Sequence, residues 1–216
     1  MRLKSVKKYT RELIRQGHYW QYAEVDTKED KSNVKFIFSP IKWTFIIISA
    51  IVSICFLTKG LTEHFVGCII SGLALYVGFF ISFIIFVFEK FYNTDFDKTN
   101  KKETDIAGLI IQKNFIKQFT SLASYSVLVS LVCIILLAIG LIYQPMSTEL
   151  NLAIYWDIIR VGGCIEIFKC SLLLIYRIAI VYFLLDLILL TLYVITSMHS
   201  YMLSIYKKTT LKDDQQ

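Results

Sequence analysis

Four stretches of this chain carry almost no charge: Trp43–Thr58, Val66–Phe88, Phe119–Tyr143 and Ser171–Met198, the last interrupted by Arg177 and Asp186. A helix needs roughly 20 apolar residues to cross a bilayer, with a range of about 17–25. The second, third and fourth stretches meet that length; the first is short and must draw on its flanks. A membrane barrel would instead show alternation of apolar and polar residues over about ten positions at a time, and no such alternation recurs along the chain. With 56% of its 216 residues apolar or aromatic and the polar ones segregated between the runs, the expected fold is all-α: a polytopic membrane protein with four transmembrane helices. The first forty residues are polar and basic, so no cleavable signal peptide is expected.

Orientation follows from Lys and Arg. Nineteen of them lie in the N-terminal segment, the second inter-span loop and the C-terminal tail, against three (Lys59, Arg160, Lys169) in the other connections. Both termini are therefore expected in the cytoplasm. The resulting plan is a cytoplasmic segment 1–40, a membrane domain 41–198 and a tail 199–216. Within the domain the spans are about 43–58, 66–88, 119–143 and 171–198, with a cytoplasmic loop 89–118 and an external segment 144–170.

Residues 1–22 have helical periodicity. Leu3, Val6, Tyr9, Thr10, Leu13, Ile14 and Trp20 share one face, while Lys4, Lys7, Lys8, Arg11 and Arg15 gather on another. Such a basic amphipathic helix suits the anionic inner leaflet or a cytoplasmic partner. A charged linker, 25–33, follows. In the cytoplasmic loop, Thr104 or Asp105 can cap a helix that begins at Ile106 and continues into the third span. The acids Asp95, Asp97, Glu103 and Asp105 lack the glycine and the terminal Glu of a calcium loop, so a solvated loop is expected there.

The external segment has two readings. Alternation at Leu150, Leu152, Ile154, Trp156 and Ile158, followed by Gly162-Gly163 and then Ile165 and Ile167, fits a β-hairpin. A helix lying at the interface from Thr148 to Val161, with Asp157 and Arg160 three apart, fits nearly as well and is preferred because Trp156 suits an interface. Cys164 and Cys170 are expected outside, where oxidation is permitted, and can bridge within the chain, bridge between subunits or stay reduced. Cys55, Cys68 and Cys133 read as packing residues within spans.

Lipid offers no hydrophobic gain for helix association, so close packing relies on small residues. The second span has a seam of Gly67, Ser71, Ala74, Gly78 and Ser82; the third has Ala123, Ser126, Ser130, Cys133 and Gly140. These seams can pack one four-helix bundle, or one of them can serve a contact between subunits. The fourth span is bulky and holds both charges. Arg177 and Asp186 are nine residues apart, half a turn around the helix and about 13.5 Å along it, so they cannot pair with each other. Arg177, about 9 Å inside the outer end, is expected to snorkel to the headgroups. Asp186 is expected to face the bundle or a pore, protonated, hydrogen-bonded or in water, because no Lys or Arg falls inside the first three predicted spans.

Catalytic patterns are missing from the sequence. There is no Cys/His metal spacing, phosphate loop, nucleophile elbow or HExxH, and His18 and His199 are expected inside with His64 outside, so no shared histidine site is expected. No metal, cofactor, enzymatic activity or direct nucleic-acid contact is expected. The expected function is a non-enzymatic, homo-oligomeric subunit of a bacterial inner-membrane complex, in contact with membrane lipids and with a soluble cytoplasmic partner. A pore-forming or membrane-permeabilising effector, holin-like or an ion channel, is the alternative. In length, four spans, inward termini and basic cytoplasmic surfaces, the chain resembles the membrane subunits of Kiwa-type bacterial anti-phage systems. That resemblance implies a membrane sensor that oligomerises and recruits a separate DNA-binding subunit at the inner face. It carries over no individual residue.

Overall fold

The structure, a computed structural model, describes residues 3–21, 40–55, 62–92, 103–142, 157–158, 160 and 163–213. Five helices account for nearly all of them: α1 (Leu3–Trp20), α2 (Pro40–Cys55), α3 (Glu63–Tyr92), α4 (Glu103–Ile142) and α5 (Cys164–Asp213). Among the described residues there is no strand. Three stretches, Glu63–Glu89, Gly108–Ile142 and Cys164–Leu203, are long and apolar enough to cross a membrane, and Pro40–Cys55 is a shorter apolar helix.

The helix starts follow local chemistry. Pro40 opens α2, a position where its missing N–H costs nothing. Thr62 caps α3: its Oγ1 accepts from the Phe65 N–H at 3.4 Å and its carbonyl from the Val66 N–H at 3.0 Å. The α4 helix begins at Glu103, slightly before the expected Ile106, and continues unbroken through the third span as expected. The α5 helix continues past the expected end of the fourth span to Asp213.

The hairpin reading fails at its second arm. Residues Cys164–Cys170 form the first turns of α5, and the Gly163 carbonyl accepts from the N–H groups of Glu166 and Ile167. The apolar positions Ile165 and Ile167 were too few to separate a period of two from one of 3.6. Asp157, Ile158 and Arg160 are helical. The remainder of the preferred 148–161 helix, like the 25–33 linker, lies outside the described residues.

Contacts cluster into two compact units, and the boundary between them falls inside α3, α4 and α5. The first contains α1, α3 from Gly78, α4 to Val127 and α5 from Leu189; the second contains α2, α3 to Val77, α4 from Leu128 and α5 to Ile188. The buried residues repeat in sevens. They are Val66, Leu73, Phe80 and Val87 in α3, and Leu173, Ile180, Leu187 and Val194 in α5. In α4 the stripe is Phe115, Phe119, Leu122, Ser126, Val129, Cys133 and Leu137. A heptad stripe of this kind is the seam of knobs-into-holes packing. In the first unit Phe83 lies 5.2 Å from Phe119, and Phe115 stacks on Tyr201 at 4.2 Å.

Candidate functional site

Two features stand apart from ordinary helix packing. One is a buried polar stripe in the second unit; the other is a seam of small residues facing outward on α3.

The polar stripe belongs to α2. Lys42, Ser49 and Ser53 fall within about 40° of one another on a helix of 3.6 residues per turn, and all three are buried. The isoleucines Ile47, Ile48, Ile51 and Ile54 are exposed instead. In water this helix would be inside out; in lipid the isoleucines meet hydrocarbon and the polar edge turns inward. Lys42 Nζ lies 3.8 Å from Asp186 Oδ1 of α5, with Lys42 only 6% and Asp186 2% exposed. The distance is that of an ion pair and exceeds a good hydrogen bond. The Ser49 and Ser53 hydroxyls, also buried, have no hydrogen-bond partner among the described residues.

This corrects two expectations. Asp186 does meet a cation: Lys42, counted with the cytoplasmic segment, stands in the first turn of α2 and reaches inward. Arg177 is buried, at 5% exposure, instead of snorkelling at the rim. Half a turn apart, the two charged residues flank opposite edges of the buried α5 stripe, so both are enclosed without meeting each other. Asp186 faces the protein interior, one of the orientations expected of it.

The two small-residue seams behave differently. On α4 the seam is buried: Ala123, Ser126, Ser130 and Cys133 are each 0% exposed. Gly140 extends it, since a Cβ there would collide with the Tyr176 hydroxyl. That hydroxyl donates to the Leu136 carbonyl at 2.6 Å, so the missing side chain of Gly140 is what admits the tyrosine to the α4 backbone. On α3 the helix buries its bulky heptad instead. Ser71, Ala74, Gly78 and Ser82 are exposed and Gly67 is half-buried. A Cβ at Gly67 or Gly78 would meet nothing within 4 Å. Among the described residues, the α3 seam therefore packs against no other helix. The serines turn their hydroxyls back to the helix, Ser71 Oγ to the Gly67 carbonyl at 2.9 Å and Ser82 Oγ to the Gly78 carbonyl at 3.0 Å. The result is a shallow surface with no unmet polar demand from those serines.

In the first unit, the C-terminal end of α1 is seated while its N-terminal half stands clear. Gly17, Trp20 and Gln21 are buried, whereas Val6, Lys7, Lys8, Tyr9, Arg11 and Arg15 are exposed. The side chain of Lys4 lies outside what is described. Gln118 Nε2 donates to the Trp20 carbonyl at 3.2 Å, and Ser197 Oγ donates to Gln118 Oε1 at 2.9 Å. Tyr125 packs against His18, ring centroids 5.3 Å apart, and a Cβ on Gly17 would lie 2.6 Å from the Tyr125 ring.

Cys164 and Cys170 are both free thiols on α5. Six residues of helix separate them by about 9 Å of rise, beyond the roughly 7 Å that a disulfide tolerates between Cα atoms. Of the three alternatives for this pair, a bridge within the chain is therefore ruled out. Of the three cysteines expected to pack within spans, Cys133 is buried while Cys55 and Cys68 are exposed. Among the described residues, no three His, Cys, Asp or Glu side chains gather where they could hold a metal ion.

Comparison with known protein families, with curated proteins and with solved structures finds no match to this chain.

Proposed function

We propose that this chain is a non-enzymatic, self-associating subunit of a bacterial inner-membrane complex, assembling through α3 and docking a soluble partner on its cytoplasmic side. In this reading α2, α3, α4 and α5 are the four spans and both termini are cytoplasmic. The observation that carries the reading is the outward seam on α3. Small residues on a membrane helix let a second backbone approach closely, and among the described residues no helix of the same chain occupies that face. Exposed apolar side chains at the cytoplasmic ends of α4 and α5, among them Ile110, Met202, Leu203 and Tyr206, give a soluble partner a surface to bind. The architectural resemblance to Kiwa-type membrane subunits supports a role for this complex in anti-phage defence, with the chain as the membrane sensor.

The test is purification from native membranes in a polymer that retains lipid, without detergent exchange. Co-elution of a stoichiometric soluble protein encoded beside this chain is expected. Recovery of the chain by itself, from cells expressing that neighbour, would remove the docking role.

A second reading, a pore, has its own support in Ser49 and Ser53. Buried hydroxyls without partners are costly in hydrocarbon, and water or an ion passing along α2 would satisfy them. Flux through reconstituted vesicles, lost in a Ser49→Ala/Ser53→Ala variant, is the expected outcome of that reading; vesicles as tight as protein-free controls would remove it.

A further inference from the structure

We propose that the exposed N-terminal half of α1 is an arm that binds the anionic phosphate headgroups of the inner leaflet, held at its other end by the Gln118 latch. The inference concerns a different surface from α3 and does not depend on self-association.

The arm has the two faces such binding requires. Its cationic face is Lys7, Lys8, Arg11 and Arg15, which with Glu12 line a concave surface of about 480 Å³. Glu12 is occupied locally: its Oε1 accepts from Arg15 at 2.7 Å and from Gln16 at 3.1 Å. Lys7, Lys8 and Arg11 have no carboxylate partner among the described residues. The apolar face is Val6, 48% exposed, and Tyr9, 63% exposed. On a helical wheel these two continue the stripe that buries Gly17 and Trp20, while the cations sit more than a quarter-turn away. One stripe is thus seated at its C-terminal end and bare at its N-terminal end.

Charge complementarity and the bare stripe together choose the occupant. An acidic protein surface would neutralise the cations but leave Val6 and Tyr9 in water unless it also brought an apolar patch. An anionic leaflet satisfies both faces at once, with the apolar residues entering the headgroup boundary and the lysines snorkelling to phosphate. The leaflet is also within reach. Trp20 is hydrogen-bonded to Gln118, which stands at the expected inner mouth of the third span, and Gln118 is fixed in turn by Ser197.

The experiment is backbone hydrogen exchange on the full chain in lipid nanodiscs. Discs of phosphatidylcholine are compared with discs containing phosphatidylglycerol. Amides of residues 3–14 should exchange about tenfold more slowly or better in the anionic discs, while those of 15–21, held by the latch, change little. Replacing Lys7, Lys8 and Arg11 together by Gln should abolish that difference between the two kinds of disc, since each charge is worth roughly fivefold in affinity for an anionic surface. Val6→Ser/Tyr9→Ser should also lower it, by about fivefold or more. Equal exchange in the two kinds of disc would overturn the proposal. So would equal protection by inorganic phosphate in zwitterionic discs, which would mark a free-anion site. Full protection in the Val6→Ser/Tyr9→Ser variant would also overturn it, because charge alone would then explain the contact and an acidic protein would serve as well.

Discussion

Helices α3 and α4 carry similar seams of small residues and use them in opposite ways. On α4 the seam is the buried face, and Tyr176 lies against the backbone at Gly140. On α3 the buried face is a heptad of Val66, Leu73, Phe80 and Val87, and the small residues look outward. In water this contrast could not arise so easily, because bulky apolar side chains would gain by leaving solvent on either face. In lipid both faces of α3 are apolar enough, and contact geometry decides which one is buried. The buried seam is tuned to a partner in the same chain, and the outer seam is free for a partner outside it. Mutations that enlarge side chains should therefore unfold the protein on one helix and leave it folded on the other.

The largest effect is expected where the interior is most demanding, at the ion pair between α2 and α5. Asp186→Ala leaves Lys42 buried without its anion and should cost about 3–5 kcal/mol. Loss of tertiary structure on heating in mild detergent, followed by tryptophan fluorescence, is the readout. Lys42→Met/Asp186→Leu should recover most of that loss, because removing both charges removes the uncompensated one. If the double variant is as unstable as Asp186→Ala, the pair is not what Asp186 contributes.

The next effect is steric. Gly140→Val places side-chain atoms where the Tyr176 hydroxyl sits and should destabilise the fold by about 1–3 kcal/mol, as overpacking does. Gly78→Val on α3, with the same change in size, should shift the same unfolding midpoint little, since among the described residues no atom lies within 4 Å of its Cβ position. Equal losses in the two variants would break the contrast.

A smaller change isolates the hydrogen bond from the packing. Tyr176→Phe keeps the ring against Gly140 and removes only the donor to the Leu136 carbonyl. A loss of about 1 kcal/mol is expected. A loss as large as that of Gly140→Val would mean that the hydroxyl, and not the close approach, holds these helices.

The sequence made part of this legible. Length and hydropathy located the three long helices, and the periodicity of residues 1–22 located α1. The continuation of the cytoplasmic-loop helix into the third span was readable because no proline falls between Ile106 and Phe119. The orientation of α3 was not readable, because its bulky and its small stripes are both periodic and lipid supplies no rule that favours one. The partner of Asp186 was missed for a different reason. A lysine at the start of a span reads as an interfacial charge, and only its spacing from Ser49 and Ser53 marks it as part of an inward polar face. The start of α5 was hidden by Gly162-Gly163, a pair that signals a hairpin turn and a helix N-terminus equally well.

The outer seam of α3 is proposed to join copies of this chain. Its most direct measurement is the subunit count of fluorescently tagged chain in native-membrane nanodiscs, by single-molecule photobleaching, for the unaltered sequence and for Gly78→Leu. Several bleaching steps are expected for the unaltered chain, and mostly single steps for Gly78→Leu with an unchanged thermal midpoint. Single steps for the unaltered chain, or an undiminished count in Gly78→Leu, would contradict it.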